Sequence, residues 1–177
     1  MKKIALVGAT LALAMIAGSA SAANAMNTGT FGLNVSVVPV TLPFTANGAT
    51  VSSPLIGGKY FVSKDMAILG GLGFASGGPS GNTSTVLALM AGVRKFTSTG
   101  DFAPFIGGRL DYVSASGTGP SSSDMTVQAQ AGAEYFLAKQ FSVEGNAGIG
   151  FESRSVAGTS ASYFGTATAG VSINLYF

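Results

Sequence analysis

Few residues in this chain are able to do chemistry. Histidine and cysteine are both absent from its 177 positions, which hold nine Lys+Arg and seven Asp+Glu. Without histidine, a serine or threonine nucleophile lacks its usual base, and zinc and haem sites of ordinary type lack their ligands. Without cysteine there is no disulfide, thiol chemistry or lipoprotein anchor. Residues 77–84 suggest a phosphate loop, but they lack its lysine and no helix follows. Ser63-Lys64 reads as a turn pair, not a catalytic dyad. What remains is a constellation of eight charged residues: Lys59, Arg94, Glu134 and Glu144, with Arg109, Asp111, Glu152 and Arg154. Each foursome holds two cations and two anions. Burying an unpaired charge is expensive, so in a confined interior these groups must pair. Their possible uses are a structural plug of ion pairs, an ion path or gate, and a carboxylate pair for acid–base catalysis. The plug is the expected use. No enzyme activity, cofactor or metal is expected.

The elements that would confine these charges are strands. Counted back in twos, Phe177, Leu175, Ile173, Val171, Ala169 and Ala167 share one face of the last stretch, 162–177. Tyr176, Asn174, Ser172, Gly170, Thr168 and Thr166 share the other. Strict alternation over that length is a strand with one apolar and one polar face, and it reaches the roughly 9–11 residues a tilted strand needs to cross a bilayer. Seven more alternating stretches precede it, at 28–38, 54–63, 66–76, 85–96, 102–114, 124–137 and 141–154. Alternation turns Lys59, Arg94, Glu134 and Glu144 inward near one end, and Arg109, Asp111, Glu152 and Arg154 inward near the other. The connections after strands 2, 4 and 6 are short. Those after strands 1, 3, 5 and 7 are read as long. The expectation is one all-β domain, an eight-stranded antiparallel up-and-down transmembrane β-barrel over residues 23–177. At about 19 residues per strand and connection, eight strands fit that length and sixteen do not.

The start of the chain reads as an address. Met1-Lys2-Lys3 is a charged region, residues 4–17 are apolar, and Ala20-Ser21-Ala22 is a small-residue cleavage site. Residues 1–22 are thus a secretory signal peptide, with Ala23-Asn24-Ala25 as a second possible site. Removing Lys2 and Lys3 leaves seven cationic and seven acidic residues, so no nucleic-acid partner is implied. Hydrophobic residues make up 47% of the chain and charged residues 9%, yet no 18-residue apolar run follows the signal. Oily residues spread over alternating strands are the pattern of a membrane barrel. Aromatics cluster at strand ends and read as two girdles. Tyr60, Phe61, Phe96, Phe102, Tyr135, Phe136, Phe141, Tyr176 and Phe177 sit at one end, and Phe74, Tyr112, Phe151 and Tyr163 near the other.

Glycines inside the strands, such as Gly57-Gly58 and Gly107-Gly108, fit a small barrel with sharp bends and little inner room. The stretches 54–59 and 104–109 echo one another as the same bend used twice. On PFIGGRLDY (104–112), AGAEYFL (131–137) and FSVEG (141–145) the chain resembles the small outer-membrane barrels, the opacity-type and OmpA/OmpX-type families. Unlike OmpA, it is expected to carry no periplasmic peptidoglycan-binding domain. The closing Tyr176-Phe177 resembles the C-terminal signal that the barrel-assembly machinery recognises. The resemblance implies a Gram-negative outer membrane, periplasmic termini, and outer-membrane lipid and lipopolysaccharide as surroundings. Enzymatic outer-membrane barrels use a histidine, which this chain lacks.

The expected function is structural or adhesion-like surface interaction through extracellular loops rich in Gly, Ser and Thr. The first loop, 39–53, adds apolar Leu42, Phe44 and Val51. The alternative is a narrow porin-like channel or small-solute transporter.

Overall fold

The computed structural model describes residues 25–38, 56–77, 83–117 and 119–177. Eight strands are formed: β1 (Phe31–Val38), β2 (Ile56–Ser63), β3 (Met66–Gly77), β4 (Ser84–Phe96), β5 (Phe102–Ser116), β6 (Ser122–Ala138), β7 (Phe141–Val156) and β8 (Thr159–Tyr176). Each pairs antiparallel with the next, and β8 returns to pair with β1, closing the sheet. Closure leaves no open edge at the seam, which a sheet in lipid requires.

Alternation sets the two faces. Ile68, Leu72, Phe74, Leu89, Ile106, Val127, Ile149 and Phe151 point outward and are exposed. Lys59, Arg94, Gln128, Gln130, Glu134, Glu144 and Asn174 point inward and are buried. A water-soluble protein reverses this order. An apolar exterior around a polar interior is the arrangement for a lipid solvent. Both Ala25, the first described residue, and Phe177 lie at the end carrying the β2–β3, β4–β5 and β6–β7 turns; this is called the terminal end below, and the other the far end.

Three local details depart from the expectations. The first strand starts at Phe31 instead of 28, because Thr30 donates to Asn27 O at 3.0 Å and Gly29 turns through a φ of 90°. The β7–β8 connection, read as long, is two residues. Ala157 (φ 50°) and Gly158 (φ 82°) supply the paired positive φ of a tight hairpin turn, so both strands run further than alternation indicated. The β7–β8 register shifts between Asn146 and Gly148. Beyond that bulge the alternation of β8 inverts, so Thr166 pairs with outward Ile149 and Phe164 with outward Phe151. The stretch read as a signal peptide (1–22), the stretch read as the first loop (39–53) and the glycine-rich stretch from 78 to 82 lie outside the described residues.

Candidate functional site: the charged lumen

The terminal half of the lumen is built around Lys59. This residue comes from β2, is fully buried, and spends all three ammonium donors. Nζ donates to Glu134 Oε2 at 2.8 Å, to Glu144 Oε2 at 2.8 Å and to the Tyr176 hydroxyl at 3.1 Å. Arg94 from β4 forms a second ion pair with Glu144 Oε2. Glu134 Oε1 accepts from the hydroxyls of Ser142 and Tyr176, and from Asn174 Nδ2 at 3.1 Å. Asn146 Nδ2 reaches Glu144 Oε1 at 3.3 Å, and Asn34 Nδ2 reaches Asn174 Oδ1 at 2.6 Å. Two cations and two anions from β2, β4, β6 and β7 therefore neutralise one another. Amides and hydroxyls from β1, β7 and β8 complete the cluster. Buried charges are tolerated when paired in this way, although Arg94 Nε is left without a hydrogen-bond partner among the described residues.

Three glycines make room for the long side chains. A Cβ on Gly107 would stand 3.1 Å from Arg94 Cγ, one on Gly132 2.6 Å from Phe105 Cζ, and one on Gly32 2.5 Å from Tyr176 Cε1. The guanidinium of Arg94 lies over the Phe105 ring at 4.3 Å, a cation–π contact.

Beneath the charges lies an aromatic floor, which corrects the expected girdle. Tyr60, Phe102, Tyr135 and Phe177 do face outward and are exposed. Phe61, Phe96, Phe136 and Tyr176 face inward and are almost fully buried with Phe105 and Met26. Their ring centroids lie 5.5–6.0 Å apart, tilted in Phe61–Phe96, Phe61–Tyr176 and Phe136–Tyr176 and edge-on in Phe96–Phe105. The parity of each strand contained the signal: Phe61 follows Lys59 by two, Phe96 follows Arg94 and Phe136 follows Glu134. Phe141 is also buried.

The far half is organised differently. Arg109 Nε donates to Asp111 Oδ1 at 2.7 Å within β5, and Gln128 Nε2 donates to Asp111 Oδ2 at 2.9 Å. Arg154 pairs with Asp124 at 3.4 Å, without hydrogen-bond geometry. Sequence reading passed over Asp124, although it shares the inward parity of Thr126 and Gln128. Glu152 is 4% exposed. Between the halves is a cavity of about 10 Å³, bordered by Asn34, Arg94, Arg109 and Asn146. That is about the space of one water. Among the described residues, no group of three or more acidic residues is arranged to hold a metal ion.

No protein-family model and no curated protein matches the chain. Solved structures do. Neisserial surface protein A superposes with a TM-score of 0.52 at 14% identity, covering 84% of this chain and 96% of that one. The N-terminal barrel domain of Pseudomonas aeruginosa OprF gives a TM-score of 0.47 at 12% identity, over 85% and 98% of the two chains. The Yersinia pestis attachment invasion locus protein Ail gives 0.44 at 11%, over 85% and 99%. With its closed ring of eight antiparallel strands, apolar outside and charged within, the chain has the fold of the small eight-stranded outer-membrane β-barrels.

Proposed function

We propose that the protein is a non-conducting, non-enzymatic barrel of the Gram-negative outer membrane. In this reading it serves as a structural and surface-interaction protein, with the terminal end periplasmic and the far-end loops extracellular. Outer-membrane lipid and lipopolysaccharide surround it, and Tyr176-Phe177 addresses it to the barrel-assembly machinery. The observation that carries the reading is the charge-paired cluster of Lys59, Arg94, Glu134 and Glu144. An eight-stranded barrel has an interior that side chains just fill, and these four occupy its terminal half above a floor of aromatic rings. With the interior given over to structure, the loops are left for contact. The name of the Neisserial barrel, a surface protein, agrees with that use.

The test is the purified, refolded protein in planar bilayers, paired with protease accessibility of the far-end loops on intact cells. Little or no steady conductance and cleavage from outside are expected. Large, stable, ion-selective channels would replace this reading with the narrow channel or transporter. Loops cleaved only after the outer membrane is breached would reverse the orientation.

A further inference from the structure

Two places near the start of the chain suit a signal-peptidase cut, Ala20-Ser21-Ala22 and Ala23-Asn24-Ala25. The first would leave Ala23 as the new terminus, and the second Met26. Residues on either side of the second place are part of the barrel. Ala25 is 6% exposed and Met26 2%, and both belong to one buried cluster with Phe61, Phe96, Phe105, Phe136 and Tyr176. Those rings belong to β2, β4, β5, β6 and β8. Side chains packed among them lie inside the terminal mouth of the lumen.

A turn brings the chain there. Thr30 N donates to Asn27 O at 3.0 Å, and Gly29, third of the four residues, has a φ of 90°. A positive φ at that position is what a type II turn asks of glycine. Gly29 N donates to Phe61 O at 2.8 Å, which fastens the turn to β2, and Asn27 N donates to Ala25 O at 2.8 Å. Asn27, Thr28 and Gly29 are exposed, while the two residues before them are buried. The turn thus lies outside the mouth and folds Ala25-Met26 back against the aromatic floor.

We propose that Ala25-Met26 is a stopper in the terminal mouth of the barrel, and that the processing site is the bond between Ala22 and Ala23, which spares it. The proposal rests on reading residues 1–22 as a signal peptide and adds which bond is cut. A cut after Ala25 would remove a buried side chain and the carbonyl that Asn27 engages. It would also place an α-amino group, mostly protonated at neutral pH, on a residue that is 2% exposed. A buried ammonium needs a counter-charge. The carboxylates of the terminal half, Glu134 and Glu144, are already engaged by Lys59 and Arg94. A cut after Ala22 leaves the new charge on Ala23 and the stopper intact.

The test begins with protein purified from the outer membrane of a Gram-negative host, its first residue read by N-terminal sequencing. Ala23 is expected. Met26 would overturn the proposal, whereas Met1 would sink the signal-peptide reading and the assigned cut with it. The stopper is tested separately, in the barrel of residues 23–177 refolded in micelles. The chain has no cysteine, so Met26→Cys and Thr28→Cys each carry a single thiol. In the folded barrel a maleimide should label Thr28→Cys roughly tenfold faster or more, because only that thiol is accessible. In urea the two should react alike. Equal rates in the folded barrel would show position 26 to be open and overturn the stopper. A chain beginning at Met26 should refold with a thermal midpoint of the gel-mobility shift lower by about 4 °C or more. An unchanged midpoint would mean that the second cut costs the fold nothing, and the assignment of the first would fall.

Discussion

Glu134 and Glu144 stand directly opposite one another, on β6 and β7, both fully buried inside the barrel. Like charges at facing positions normally repel and destabilise a sheet. Here the pair becomes a seat for a cation, with Lys59 Nζ at 2.8 Å from an oxygen of each. The repulsion is what makes the site demand a cation, and β2 is the element that delivers it.

Replacing Lys59 with Met should therefore do more than remove a contact. It leaves two buried carboxylates facing each other with only Arg94 to share, a loss of about 3–5 kcal/mol by comparison with other broken buried pairs. The midpoint of urea unfolding, read by the gel-mobility shift, should fall accordingly. Adding Glu134→Gln to Lys59→Met removes one stranded charge and should restore part of the loss. Additive losses would mean that the residues are not coupled.

Gly107→Ala tests whether the inner glycines are there for space. Its Cβ would crowd the backbone of Val93 and press on Arg94 at Cγ. Overpacking of this kind costs about 1–3 kcal/mol, and it should displace Arg94 from Glu144. Gly70→Ala, whose Cβ meets nothing within 4 Å, is the matched control. Equal stability of the two variants would discount the argument from space.

Deleting Phe177 should separate assembly from stability. Its side chain is 77% exposed and outward, and its backbone N donates to Phe31 O at 2.9 Å as the last rung of the seam. The loss on deletion is at most about 1.5–3 kcal/mol from the side chain. Refolding into detergent should survive, while the outer-membrane level in cells should drop sharply. Normal cellular levels would remove the assembly role assigned to Tyr176-Phe177.

The turn at Lys64-Asp65 gives a prediction in pH. Lys95 donates to Asp65 Oδ2, and Ser63 Oγ donates to Oδ1 at 2.7 Å. The hydrogen bond from Lys95, then that from Ser63, holds the Asp65 carboxyl below its ordinary 3.8. A lowered carboxyl stabilises the fold above its unfolded value, and that gain disappears as pH falls through the lowered one. The group is exposed, so the effect is small and salt-sensitive. NMR titration should show Asp65 titrating below 3.8 in the wild type and moving back up in Lys95→Met. An unchanged titration in that variant would rule out Lys95 as the cause.

Much of this architecture was legible because a strand repeats every two residues. Lys59, Arg94, Glu134 and Glu144 could be turned inward by parity alone, without any knowledge of their partners. Parity would equally have moved Phe61, Phe96, Phe136 and Tyr176 out of the girdle and into the lumen. Aromatic residues at strand ends suit a membrane interface so well that composition hid this periodic signal. The actual partners were beyond sequence, because they depend on the stagger between strands as the sheet closes. The neighbours Ser142, Asn174 and Tyr176 around Glu134 follow from that stagger. Thr166 illustrates a different limit: one bulge between Asn146 and Gly148 inverts the expected faces of half of β8, and no residue type announced it.

The hydrogen bonds of Lys59 reach residues 75, 85 and 117 positions away along the chain. They join β2 to β6, β7 and β8, and so can form only as the last strand arrives and the ring shuts. Interactions made after the folding barrier scarcely speed folding, but they must be broken before unfolding begins. The cluster should accordingly act less as a guide to the fold than as a clasp fastened at the end. Its largest effect would then be on the lifetime of the inserted barrel, a slow rate of escape from a membrane where no chaperone or fresh synthesis repairs a single molecule.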